Sequence, residues 1–168
     1  MKKSIIKLMP IGGQAENGKS MYCLEIDDNW FIIDAGYRFP EVDKLGVDVI
    51  IPNFDYLKDN KDKIKAIFIT HGHDDVMGAL PYLVNVPIYT TDLTADLIDQ
   101  LLQRYMRHSH VSYKYKIKRV NMNATMKVAG VEVDFFPITH SIPGSVGLAF
   151  LTDYGYIVYS SEFIIDFG

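Results

Sequence analysis

The chain has 168 residues, 48% of them hydrophobic and 23% charged. That is enough for one ordinary domain with a real core, and it excludes a disordered chain. The formal net charge of −4 excludes a uniformly basic nucleic-acid binder, so any polyanion site must be a local patch. The lone cysteine, Cys23, excludes both an internal disulfide framework and a cysteine-rich zinc site. No apolar run approaches the ~20 residues that span a bilayer. The stretch Met1–Lys7 begins like a signal peptide, but Lys7 interrupts it and no small-residue cleavage site follows. A cytoplasmic protein with no membrane contact is expected.

In chain order, residues 3–11 form an apolar run that ends in Gly12-Gly13, which predicts a strand and a turn. Residues 21–26 predict a second strand. Asp27-Asp28-Asn29 turns the chain into a third, residues 30–34. Residues 65–70 form a short apolar strand running straight into His71-Gly72-His73, and residues 78–83 carry apolar side chains at helical spacing. A strand at 86–89 precedes a helix at 93–106, with Leu93, Leu97, Leu101 and Tyr105 as its apolar stripe and Thr91 or Asp92 as its cap. Strands at 131–136 and 156–159 complete an α/β, or layered α+β, domain.

His71 and His73 lie just past a strand, with Asp74 and Asp75 directly after them. Gly72 is expected to let the backbone bend so that both imidazoles converge. His140 also follows an apolar strand, and the pattern apolar–Thr–His recurs as Ile69-Thr70-His71 and Ile138-Thr139-His140. Neutral imidazoles with nearby carboxylates suit a catalytic Zn²⁺ or Mn²⁺. On residues alone, a turn cap plus a packed histidine explains the pattern as readily.

Residues 70–83, Thr-His-Gly-His-Asp-Asp-Val-Met-Gly-Ala-Leu-Pro-Tyr-Leu, resemble the HxHxDH motif of the metallo-β-lactamase superfamily, and in particular the ribonuclease J family of its beta-CASP branch. Four further stretches agree, in the family's order. They are Gly12-Gly13 with residues 16–22, Asp34-Ala35-Gly36 with residues 39–41, 45–48 and 51–52, residues 139–147, and residues 156–163. The resemblance implies an αββα metallohydrolase fold that cleaves RNA phosphodiesters. It makes His71, His73 and His140 ligands of a first metal, Asp75 and position 76 ligands of a second, and position 162 the bridge. Asp75 and His140 become the catalytic groups, with water between the metals as nucleophile. Asp34 becomes a residue that orients the metal loop, although a plain strand-end acid is an equal reading.

Two positions depart from the family pattern. Val76 stands where the pattern has histidine, and its isopropyl group binds no metal. Glu162 stands where the pattern has aspartate, and its extra methylene moves the carboxylate by ~1 Å where about 0.5 Å matters. One metal, Zn or Mn, is therefore expected rather than two. The family pattern continues with the second half of the fold, the beta-CASP domain and a last histidine ligand. Residues 1–168 are accordingly expected to be one domain, the N-terminal half of the sandwich. Such a half exposes sheet edge and core surface, so self-association or pairing with a ribonuclease J paralogue is expected. The functional expectation is a weak or inactive metal-dependent ribonuclease. The alternative is a non-catalytic scaffold or partner subunit.

Residues 100–131 contain no acid and seven of the seventeen Lys and Arg residues. On a strand, Lys114, Lys116 and Lys118 share one face, which reads either as an RNA phosphate track or as an edge strand guarded by lysines. Residues 13–20 fit the P-loop spacing GxxxxGK[ST], but a strand rather than a helix is expected next, which makes nucleotide binding a remote alternative. Cys23 reads as a small core residue.

Overall fold

The structure, a computed structural model, describes residues 3–42, 44–110 and 115–165. Strands β1 (Ile6–Gly12), β2 (Met21–Ile26) and β3 (Asn29–Ile33) form an antiparallel meander. Asp27 and Asp28 both take positive φ between β2 and β3, as a tight hairpin turn requires. After the short helix α1 (Asp55–Asp59), strands β4 (Ile64–Phe68), β5 (Ile88–Thr90) and β6 (Ile117–Arg119) add in parallel, giving a six-stranded sheet in the order 1-2-3-4-5-6. Strands β7 (Thr125–Val128), β8 (Val131–Pro137), β9 (Val146–Thr152) and β10 (Gly155–Tyr159) form a second, antiparallel sheet.

Alternation in β2 and β3 explains the layering. Met21, Cys23, Trp30 and Ile32 point to one side, into a core shared with Ile98 and Leu102 of helix α3 (Asp92–Ser109). Leu24, Phe31 and Ile33 point to the other side, into a core shared with Val133, Phe135, Leu148 and Phe150 of the second sheet. The central strands are thus buried on both faces, which is why they read as continuous apolar runs. Phe68 sits at the centre of the second core, with Phe135 at 5.9 Å and Phe150 at 5.5 Å between ring centroids. Buried Cys23 is a core residue, and burial pushes its thiol up to about 12.

The layers run helix, sheet, sheet. The outer face of the second sheet carries Leu151, Tyr156 and Val158, all exposed. This is the metallo-β-lactamase-like arrangement expected from the sequence, with three of the four αββα layers formed by the described residues.

Several elements differ from the sequence reading. The helical spacing at 78–83 yields only a 3-10 turn, Leu80–Tyr82, after a four-residue helix α2, Asp74–Met77. Pro81 lacks the N–H that a longer helix would need there. Helix α3 buries Thr94, Ala95, Ile98 and Leu102, while Leu93 of the expected stripe is exposed. Leu97 and Leu101 pack against the edge of the core, partly buried, and Leu97 lies over Gly72 of the loop that carries His71. Strand β2, not a helix, follows Gly13–Ser20, so that segment is a hairpin loop and lacks the P-loop setting. Lys114 lies outside the described residues.

Candidate metal centre

The site forms where the two sheets meet. Residues at the C-terminal ends of β3 and β4 face the loops after β8 and β10, and Val146 N–H donates to the Thr70 carbonyl at 3.0 Å. Backbone hydrogen bonds clamp the metal loop. Ala35 N–H donates to Val76 O at 2.6 Å, Tyr37 N–H to Asp74 O at 3.1 Å and Ser20 N–H to Asp75 O at 3.0 Å. Gly36 makes the clamp possible, because a Cβ there would lie 1.5 Å from the Asp75 carbonyl oxygen. Gly72 is not among the glycines with positive φ. Its missing side chain instead leaves room for Leu97, whose Cδ1 would lie 2.3 Å from an added Cβ. The residue is needed for packing rather than for a bend.

A buried polar chain leads into the site. Asp34, wholly buried with φ at +59°, accepts from Thr70 N–H at 2.9 Å, from Thr70 Oγ1 at 3.0 Å and from the Tyr159 hydroxyl at 2.9 Å. Burial pushes the Asp34 carboxyl up to about 7, against the pull of these donors. Thr70 Oγ1 also receives Ser161 Oγ–H at 2.8 Å and lies 3.0 Å from His71 Nδ1. With its own proton committed to Asp34, Thr70 can only accept from the ring. The network therefore assigns the proton of His71 to Nδ1 and leaves Nε2 with a bare lone pair.

That Nε2 is buried and has no hydrogen-bond partner among the described residues. Around it stand His73 and His140, with ring centroids 4.9 Å and 4.3 Å from that of His71. The three residues offer ligand atoms that all lie within 4.8 Å of one another. His140 Nε2 and His73 Nδ1 are 3.1 Å apart, close to the ~3.3 Å that separates two nitrogens held at 2.0–2.1 Å on a tetrahedral ion. Burial, then the neighbouring rings of His140 and His73, push His71 down to about 3, so it stays neutral as a ligand must. An orphaned lone pair among three convergent imidazoles fits a metal and is costly without one.

Asp75 and Glu162 lie outside this trio. Asp75 lines a cleft of about 670 Å³ with His73, Asp74, Arg38 and Phe39. Glu162 is exposed, and Ser20 Oγ donates to it at 3.5 Å. Val76 is fully buried in the helix-side core. Lys116 and Lys118 are exposed at β6, the edge of the six-stranded sheet. Sequence reading missed Thr70, Tyr159 and Ser161 as partners of Asp34 and His71. The repeated Thr-His pair was the one available signal.

Three convergent imidazoles at the strand ends of a helix–sheet–sheet fold define a metallo-β-lactamase-like domain. The chain belongs to the β-lactamase superfamily, whose profile (Beta-lactamase superfamily domain) matches residues 29–163. It is homologous to ribonuclease J 2. Identity is 44% with the Staphylococcus saprophyticus protein and 41% with the Staphylococcus aureus protein, over 98% of this chain and 29% of each relative. The chain thus spans under a third of the length of these relatives and matches their N-terminal part. Among solved structures, a protein of unknown function from Enterococcus faecalis V583 superimposes with a TM-score of 0.77 at 19% identity, over 96% of this chain and 44% of that one. Zn²⁺-bound PqqB from Methylobacterium extorquens gives 0.60 at 14% identity over 86% and 52%. The short form of human tRNase Z gives 0.57 at 16% identity over 94% and 68%. These likenesses establish the fold.

Proposed function

We propose that this chain is the metal-binding half of a ribonuclease J-like RNA phosphodiester hydrolase, with weak activity of its own. The observation that carries the reading is the buried, unpartnered Nε2 of His71 among three converging imidazoles. The ribonuclease relatives supply the substrate class. His71, His73 and His140 would hold one Zn²⁺, an ion suited to neutral imidazole, with Mn²⁺ the alternative. Such an ion lowers the pKa of a bound water and polarises a phosphoryl oxygen. The rest is done by the chain. Asp34, through Thr70, fixes the tautomer and aim of His71, and the cleft beside His73 receives the scissile phosphate. Asp75, lining that cleft beside Asp74, is the carboxylate assigned to the reaction, and Glu162 is placed to join it only by moving. Val76, apolar where the family pattern has a ligand, favours one ion over two and low activity.

Residues 1–168 act as one domain that completes its sandwich with further polypeptide, its own or a paralogue's, in the cytoplasm. Among the described residues no helix is long and apolar enough to cross a membrane. A non-catalytic partner subunit is the second reading, favoured by the buried Val76.

The test is cleavage of end-labelled single-stranded RNA with Zn²⁺ or Mn²⁺ added. Slow, metal-dependent cleavage that is lost in His73→Ala and raised in Val76→His/Glu162→Asp is expected. No cleavage by either chain, with metal bound, overturns the catalytic reading and leaves the partner subunit.

A further inference from the structure

A second cleft, of about 300 Å³, adjoins the one beside His73, and the two share Asp74 on their walls. Its floor includes Leu97 and Leu101 of α3, and its wall carries Gln100, Arg104 and Arg107 from the same helix. From Gln100 to Arg107 the row extends ~10 Å along the helix axis.

The pairing of the arginines sets this cleft apart. Arg38 has Glu16 at 3.7 Å and Glu41 at 3.9 Å, and Arg119 has Asp92 at 3.6 Å and Asp96 at 2.6 Å. Arg104 and Arg107 have no carboxylate partner among the described residues, and Arg107 Nε reaches only the Gln103 carbonyl at 3.3 Å. Asp99, the nearest acid along the helix, accepts from the Gln103 amide at 2.7 Å. A last-turn arginine complements the helix dipole, which accounts for Arg107. It does not account for Arg104, a turn further in, whose charge acts on Tyr37 at the wall of the first cleft. Asp74 is the acid lining the second cleft, so cationic groups exceed it two to one.

An apolar floor beside two guanidiniums without carboxylate partners among the described residues suits a single-stranded polynucleotide through its cationic wall, although leucines rather than aromatic rings form the floor. Bases cover the floor while phosphates meet the arginines. We propose that this cleft is the track on which single-stranded RNA lies as it passes the metal centre, its phosphates on Arg104 and Arg107 and a base over Leu97 and Leu101. The identity of the polyanion rests on the nuclease reading above. The placement of the track rests on the cleft. It differs from the lysine track of the basic stretch, because Lys116 and Lys118 stand on the sheet edge.

The test is binding rather than cleavage. Fluorescein-labelled oligouridylate is titrated with the full 168-residue chain in EDTA, by anisotropy, at several salt concentrations. Each phosphate contact on a single strand contributes ~0.7 to the slope of log affinity against log salt. Arg104→Gln/Arg107→Gln is expected to flatten that slope by about 1.4, so raising salt from about 50 to about 200 mM weakens the native chain about sevenfold more than the variant. Arg104→Lys/Arg107→Lys keeps both charges and is expected to restore the slope, which separates loss of contacts from loss of fold. Lys61→Gln/Lys127→Gln removes the same charge elsewhere and is expected to leave the slope within half that change. No RNA binding by the native chain, an unchanged slope in the Arg→Gln pair, or an equal change in the Lys pair overturns the track. An arginine-dependent slope in a chain that never cuts RNA sinks the nuclease reading alone. Cutting with an arginine-independent slope sinks the track alone.

Discussion

Replacing Thr70 by valine keeps the shape of a fully buried side chain and deletes the hydroxyl that joins Asp34 to His71. Asp34 keeps its bonds from Thr70 N–H and the Tyr159 hydroxyl, both at 2.9 Å. Half-buried Ser161 can turn to water. The loss therefore falls on His71, whose Nδ1–H is left buried without an acceptor. Such an orphan costs ~1–3 kcal/mol, and with the weakened Asp34 and Ser161 bonds the total is about 2–3 kcal/mol. The ring also loses its fixed tautomer, and loss of such a partner lowers metal affinity about 10–100-fold. Urea unfolding followed by the single, buried Trp30 reads the first effect. Competition for Zn²⁺ against a chromophoric chelator reads the second. Thr70→Ser retains the hydroxyl and is expected to recover most of both. If Thr70→Val binds Zn²⁺ as tightly as the native chain, the Asp34–Thr70 chain does not govern His71, and the reasoning fails.

Three other outcomes are expected. In the metal-free chain, folded Asp34 titrates at about 7 against an ordinary 3.8, so its stabilisation is full at acid pH and is lost as pH rises to 7. Folded His71 titrates at about 3 against 6.5, so its contribution is lost as pH falls from 6.5 toward 3. The two slopes, each about 1.4 kcal/mol per pH unit, oppose one another between pH 4 and 6.5. Asp34→Asn removes one of them, so urea stability of the variant should fall by about that much per unit as pH drops through this window; a pH-independent difference from the native chain contradicts it. Gly36→Ala drives a methyl into the Asp75 carbonyl, which is backbone and cannot step aside, so metal binding should be lost and the melting midpoint lowered while far-UV dichroism survives. An unchanged midpoint would show that the clamp yields easily. Leu151→Lys/Val158→Lys charges the bare outer face of the second sheet, and sizing chromatography should show self-association of the native chain reduced in the variant. A native chain that elutes as a clean monomer would contradict that.

Local pattern made much of the fold legible. The strands at 21–26 and 30–34 were readable because buried, two-faced strands appear as continuous apolar runs, and the helix because its apolar residues repeat every fourth place. Its buried face is not legible in that spacing, because Leu97 and Leu101 pack at the edge of the core, Leu97 against Gly72, while Ile98 and Leu102 fill it. Strand β9 is hard to read because the loop motif at residues 139–147 runs directly into it, and β7 because Thr125–Val128 mixes exposed and buried residues. The histidine trio could be read because His71 and His140 repeat the same strand–Thr–His ending. The Asp34 chain could not, since Tyr159 and Ser161 reach it across 125 and 91 residues of sequence, a distance that only the closed sandwich removes.

The central claim is that His71, His73 and His140 hold a metal ion. Elemental analysis of the chain purified without chelator tests it most directly, alongside His73→Ala. About one Zn or Mn per chain, absent from the variant, is the expected result. No metal in the native chain, even after reconstitution with Zn²⁺ and Mn²⁺, would mean that the fold has kept its shape without its metal chemistry.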